Sequence, residues 1–183
     1  MRTWILLIAV SMGMIACNSE TPSNEVVSLP VPPNNVVAAP ASLQGVFNPT
    51  GGVVRGVDFT MDRSALKATE TGEEVESNDT SVMYSFDLND YEFVDVIYSY
   101  SGDNLNQIEL DIYAADANAA STYYMDMVNY FNAKYLNRES LWDGAANGVL
   151  FTSFVQKVED PENPGVIVFY ERMSEASAAV YGE

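Results

Sequence analysis

The sequence contains no histidine and a single cysteine, Cys17. Without imidazole there is no Ser-His-Asp or Cys-His relay, no imidazole zinc site, and no use of the commonest general base. A lone thiol excludes a disulfide framework and a cysteine metal cluster. Positive charge is scarce too: 8 Lys and Arg stand against 26 Asp and Glu, for a net charge of −18. Such a surface repels phosphate backbones, which excludes nucleic acid as a partner. It also repels anionic lipid head groups, so no basic patch can hold a membrane. There is no GxGxxG, no P-loop and no run of βαβ units, which excludes the doubly wound nucleotide-binding folds. The longest apolar run, Trp4–Ile15, is about half the ~20 residues that span a bilayer.

What is present starts with that run. Arg2 precedes it as a short positive region, and Ala16 stands just before Cys17, the layout of a secretory signal. Met14-Ile15-Ala16-Cys17 resembles the lipobox of bacterial lipoproteins: two mostly apolar positions, a small residue, then cysteine. Met14 departs mildly from the usual leucine. The resemblance covers the signal alone. It implies cleavage before Cys17, lipidation of that residue, and membrane attachment through its acyl chains. In enteric bacteria an aspartate after the cysteine is the usual inner-membrane retention signal. Asn18 stands there instead, so the resemblance implies the outer membrane or its periplasmic side. Loss of Arg2 with residues 1–16 leaves the mature chain one unit more negative than −18.

Residues 17–42 follow the signal. Asn18–Ser42 holds five prolines with Asn and Ser and has no helical or strand period. It reads as a polyproline-like tether able to hold a domain roughly 80 Å from the lipid. Residues 43–183 are one domain's length, and a hydrophobic content of 48% suffices for a core.

Within that domain Val53–Thr60 is expected as a first strand, and the acidic stretch Thr69–Thr80 as an exposed loop. Val82, Tyr84, Phe86 and Leu88 alternate with polar neighbours, the period-two mark of a half-buried strand. Phe93–Tyr100 and Leu105–Tyr113 form a hairpin across Ser101-Gly102-Asp103-Asn104. Asp116 or Asn118 caps a helix to about Leu136, with an apolar stripe of Ala120, Tyr124, Met127, Val128, Phe131 and Tyr135. Asp143-Gly144 and Asn147-Gly148 read as turns around an irregular segment. Val149–Val158 and Val166–Arg172 make a second hairpin, and the tail from Ser174 reads as frayed or weakly helical. The expected fold is α+β: a single antiparallel sheet of about six strands, in the order β-β-β-β-α-β-β, with one long amphipathic helix on one face. Small exported lipoprotein domains have a similar layout.

Candidate sites lie on the outer face of the first hairpin. In one register Asp95 faces Glu109, in the other Asp111, and either way like charges meet at a cost of a few tenths to ~1 kcal/mol. Asp95, Glu109 and Asp111 are therefore candidate ligands for a hard cation such as Ca²⁺. Water and salt relieve the repulsion equally well, and no other cofactor is implied. Two loop clusters are weaker cation candidates: Asp87, Asn89 and Asp90 lack the glycine and distal glutamate of an EF-hand loop, and Asp103, Asn104 and Asn106 are more simply explained as turn residues. Tyr98, Tyr113, Tyr123 and Tyr130 are candidate binding residues for an envelope protein or glycan. No catalytic residue stands out among the carboxylates. The expectation is a lipid-anchored, non-enzymatic binding or structural module of the cell envelope. A small carboxylate-based or metal-dependent hydrolase, and a subunit of an envelope complex, stay open as alternatives.

Overall fold

The computed structural model describes residues 30–32, 35–48 and 50–181. The signal, Cys17 and the first part of the tether lie outside the described residues. A helix α1 (Arg63–Thr69) precedes four strands, β1 (Glu73–Ser77), β2 (Ser81–Asn89), β3 (Glu92–Ser101) and β4 (Asn104–Tyr113). The long helix α2 (Ala117–Lys134) leads to β5 (Leu136–Arg138), β6 (Leu141–Ala146), β7 (Val149–Val158) and β8 (Gly165–Arg172), and a short helix α3 (Glu175–Ala178) closes the chain. All strands join one antiparallel sheet in the order β1-β2-β3-β4-β8-β7-β6-β5. Two four-stranded meanders thus meet at β4 and β8, and α2 carries the chain from the centre of the sheet to its far edge. The α+β class holds, with one antiparallel sheet and one long helix, but the sheet has eight strands and not six.

The corrections have local causes. Val53–Thr60 makes only an isolated bridge between Val54 and Val57. Arg55 (φ 53°) and Gly56 (φ 80°) turn the chain back there before a strand can form. Glu73–Ser77 pairs with β2 although every residue in it is exposed. A short acidic strand suits a sheet edge, because charge discourages pairing with another chain. Asp143-Gly144 is not a turn. It lies inside β6, where a Cβ on Gly144 would stand 2.4 Å from the Phe151 ring. The turn is Asn147-Gly148 (φ 48° and 80°), which joins β6 to β7 with the positive φ pair of a type I′ hairpin.

One face of the sheet is buried. Val94, Val96, Tyr98, Ile108, Leu110, Val168 and Tyr170 are fully enclosed there, each contributing about 1.5–3 kcal/mol when buried. Two different layers cover it. Over β6–β8 lies α2, capped by the Asp116 carboxylate, which accepts from the backbone N–H of Asn118 and Ala119 at 2.8 Å each. Its Phe131 meets Trp142 and Tyr170 at centroid distances of 5.5 and 5.6 Å. Over β2–β4 lies the irregular segment 41–62 with α1, anchored by Leu43, Val46, Val57 and Leu66. The chain is already seated before Ser42: Val37 and Ala39 pack on the core, and the Asn35 side chain donates to the Ala133 carbonyl at 3.2 Å. Residues 35–39, expected within the tether, therefore lie against the domain, where valine and alanine find an apolar surface. No helix among the described residues is long and apolar enough to cross a membrane.

Candidate functional site

The other face of the sheet carries no helix over β3 and β4; at its β6–β7 end, the side of Asp143 and Thr152, the C-terminal tail that holds α3 is fastened by the Tyr181 hydroxyl to Asp143. The β3–β4 register sets Asp95 opposite Asp111 and Ile97 opposite Glu109. On the far side of β4, Asp111 faces Ile167 and Glu109 faces Phe169, and Phe169 in turn faces Phe154 of β7. Alternation along β3 and β4 thus places three carboxylates on the half-exposed side of strands whose other side is core. Two ring stacks flank them: Phe93 on Tyr113 (4.3 Å, 15° between planes) and Phe154 on Phe169 (4.7 Å, 25°). Acid and aromatic surface lie side by side on one broad face.

Its electrostatics follow from crowding. The Ser85 hydroxyl donates to Asp95 at 2.6 Å, whereas one carboxylate oxygen of Asp111 is buried without a partner. Burial, then the Asp95 charge, raises the Asp111 carboxyl above its ordinary range. Burial, then Asp111, raises Glu109 in the same direction. The Tyr113 hydroxyl is pushed up by burial and by the charges of Asp111, Asp95 and Glu109. Among the described residues no three or more Asp, Glu, His or Cys side chains group as a metal site. Asp95, Asp111 and Ser85 offer only part of the about six to eight oxygens that Ca²⁺ takes.

The four tyrosines expected at a binding surface separate. Tyr113 lies on the open face, half-buried against Phe93. Tyr98 is fully buried, because its pairing with Ile108 puts it on the core side, and its hydroxyl donates to Glu70. Tyr123 and Tyr130 are buried as well, at 7% and 5% exposure. The helix stripe extends to them because α2 is enclosed by a further layer as well as by the sheet: Phe47 packs on Tyr130 with ring centroids 5.0 Å apart. The Tyr123 hydroxyl donates to Glu92 at 2.9 Å and is pushed up to about 12 by burial and that carboxylate. The loop clusters serve their turns. The Asn89 side chain accepts from the Tyr91 backbone and donates to Glu92, and Gly102 (φ 61°) carries the β3–β4 turn.

Two buried polar clusters have no local sequence signal. Arg55 pairs with Glu70 at 3.3 Å, donates to the Gly45 and Val46 carbonyls at 3.0 and 3.3 Å, and covers the Phe86 ring at 3.4 Å. At the opposite end Asp143, fully buried, accepts from Arg138, Thr152 and the Tyr181 hydroxyl. That last bond fastens the C-terminal tail, expected to fray, onto the sheet. Both clusters are internally satisfied and serve cohesion.

The fold and the site together define a class: an α+β domain whose two meanders lie side by side in one sheet, with one covered face and a second that is acidic and aromatic over β3, β4 and β8. No family model, no curated protein and no solved structure matches the chain.

Proposed function

We propose that the chain is a lipid-anchored lipoprotein of the cell envelope whose domain is a non-enzymatic binding module. Acyl chains on Cys17 hold it to the membrane, at the outer membrane or its periplasmic side, and the open face of the sheet meets an envelope protein. One observation carries the binding part: the Phe93–Tyr113 and Phe154–Phe169 stacks stand beside Asp95, Glu109 and Asp111 on the face opposite α2, away from the end that the C-terminal tail covers. Rings supply contact area and carboxylates supply orientation, a mixture suited to a partner presenting aliphatic and basic groups. The carboxylates stand on neighbouring strand positions of one sheet face, a poor arrangement for bond cleavage, which needs an acid and a base on either side of a substrate.

Two experiments test the parts separately. Cys17→Ser is expected to release the protein from membranes or to block its processing; a variant processed normally and still membrane-bound overturns the anchor. Purified from native membranes with its tether, the wild type is expected to retain an envelope protein that Ile97→Asp/Phe169→Asp loses at unchanged circular dichroism. Equal recovery by both proteins, or recovery of nothing by the wild type, overturns the open face as the binding surface.

A further inference from the structure

A cavity of about 460 Å³ lies away from the open face, between the segment 35–39, the turn 50–55 and the last turn of α2. Its size falls within the range of small-molecule sites. No Asp or Glu lines it, although the chain carries 26 of them. Its cations are Arg55, neutralised by Glu70, and Lys134.

The chain has three lysines, and two are paired: Lys67 with Glu74 at 2.9 Å and Lys157 with Glu159 at 3.4 Å. Lys134 has no carboxylate within ion-pair distance among the described residues. Its ammonium donates to the Tyr130 hydroxyl at 2.8 Å and stands 5.0 and 5.1 Å from the Tyr130 and Tyr135 ring centres. The C-terminal end of α2 also favours a cation there. These contacts explain how the charge is tolerated, but they use only one of the three N–H donors an ammonium carries. Burial lowers Lys134 to about 8, so the group is still mostly protonated at neutral pH.

We propose that this cavity binds a small organic anion, its carboxylate on the Lys134 ammonium and its apolar body against Val37, Phe47 and Tyr130. The Thr50 hydroxyl lies in the same wall, as does Asn147, whose amide N–H already donates to Asp58. One ammonium suits a monoanion with an apolar body. A phosphate dianion would require more neutralising charge than this wall holds. The net negative charge of the whole chain does not forbid it, because at physiological salt surface charges beyond about 8 Å are largely screened.

The test uses the full chain in detergent, selectively labelled on lysine, with sodium hexanoate as probe and sodium chloride at matched ionic strength as control. The Lys134 side-chain resonance is expected to move saturably, with a Kd on the order of 1 mM, while Lys67 and Lys157 follow the chloride control. Lys134→Met should weaken binding about tenfold or more, and Lys134→Arg, which keeps the charge, should retain most of it. A common, unsaturable drift of all three lysines overturns the site. So does unchanged hexanoate binding by Lys134→Met with wild-type circular dichroism.

Discussion

Tyr98 and Tyr170 are both fully buried on the same face of the same sheet, one in each meander, yet their surroundings are opposite. Tyr98 donates to Glu70, which also holds Arg55, under the irregular layer of residues 41–70. Tyr170 sits among the Phe131 and Phe151 rings beneath α2, at 5.6 and 5.9 Å, and its hydroxyl has no charged partner, only the neighbouring Tyr135 hydroxyl, with which it makes no well-formed hydrogen bond. The first half of the core is thus closed by a buried ion pair and the second by aromatic packing. The helix brings one apolar stripe that fits a sheet by shape. The irregular layer has no such period, and a specific charge contact fixes where it docks. The same residue type is therefore a polar anchor in one half and a filler in the other.

The largest effect should come from breaking the ion pair. Glu70→Ala leaves the Arg55 guanidinium buried with only carbonyl partners and the Tyr98 hydroxyl with none. A loss of about 3–5 kcal/mol in urea unfolding is expected. A loss near the exposed-pair value of about 0–1 kcal/mol would mean that water reaches the pair and the polar half is not closed as described.

The tyrosines themselves sharpen the contrast. Tyr98→Phe removes a hydrogen bond to a charged group and should cost about 1.5–3 kcal/mol. Tyr170→Phe removes a buried hydroxyl whose one polar neighbour is the equally unsatisfied Tyr135 hydroxyl, and should be neutral or stabilising by up to about 1 kcal/mol. Opposite signs from one chemical change, measured side by side by urea denaturation, would establish the two halves. Equal losses would erase the distinction.

The same division decides what could be read from the sequence. Strands β2, β3, β4, β7 and β8 and helix α2 are legible because period two or period 3.6 runs through them without interruption. The open-face carboxylates were legible too, since alternation puts Asp95, Glu109 and Asp111 on one side in either register, and the observed register selects Asp111 as the partner of Asp95. The irregular layer was not legible. Arg55 and Glu70 are separated by 15 positions and by α1, and neither carries a local sign of burial. Strand β1 is paired only because β2 offers it an edge, which no property of Glu73–Ser77 announces. Gly144 looks like half of a turn until Phe151 is brought against it from β7. Tyr123 and Tyr130 looked exposed because one stripe was counted, while α2 is enclosed on a second side by Phe47.

The smallest effect is expected on the open face, where the comparison turns from core halves to the two sides of β4. Leu110 and Ile112 are buried by packing alone, whereas Asp111 between them faces Asp95 across the strands. Asp111→Asn keeps the shape and removes one of two like charges, so it should stabilise the fold at neutral pH by about 0.5–1 kcal/mol. The sign reverses the usual carboxylate case. Burial and Asp95 raise the Asp111 carboxyl above its unfolded value, so the native state takes up its proton more readily than the unfolded chain. Its favourable contribution is present when the group is protonated and is lost as pH rises through the raised value. Wild type should therefore gain on Asp111→Asn as the solution is acidified through the carboxylate range, and urea unfolding of both proteins across that range should show the gap closing. A gap that stays constant would mean that Asp111 is not under charge strain. A gap of the opposite sign at neutral pH would mean that a bound cation, and not water, offsets the pair, and Ca²⁺ should then raise the wild-type melting temperature above a sodium chloride control of equal ionic strength.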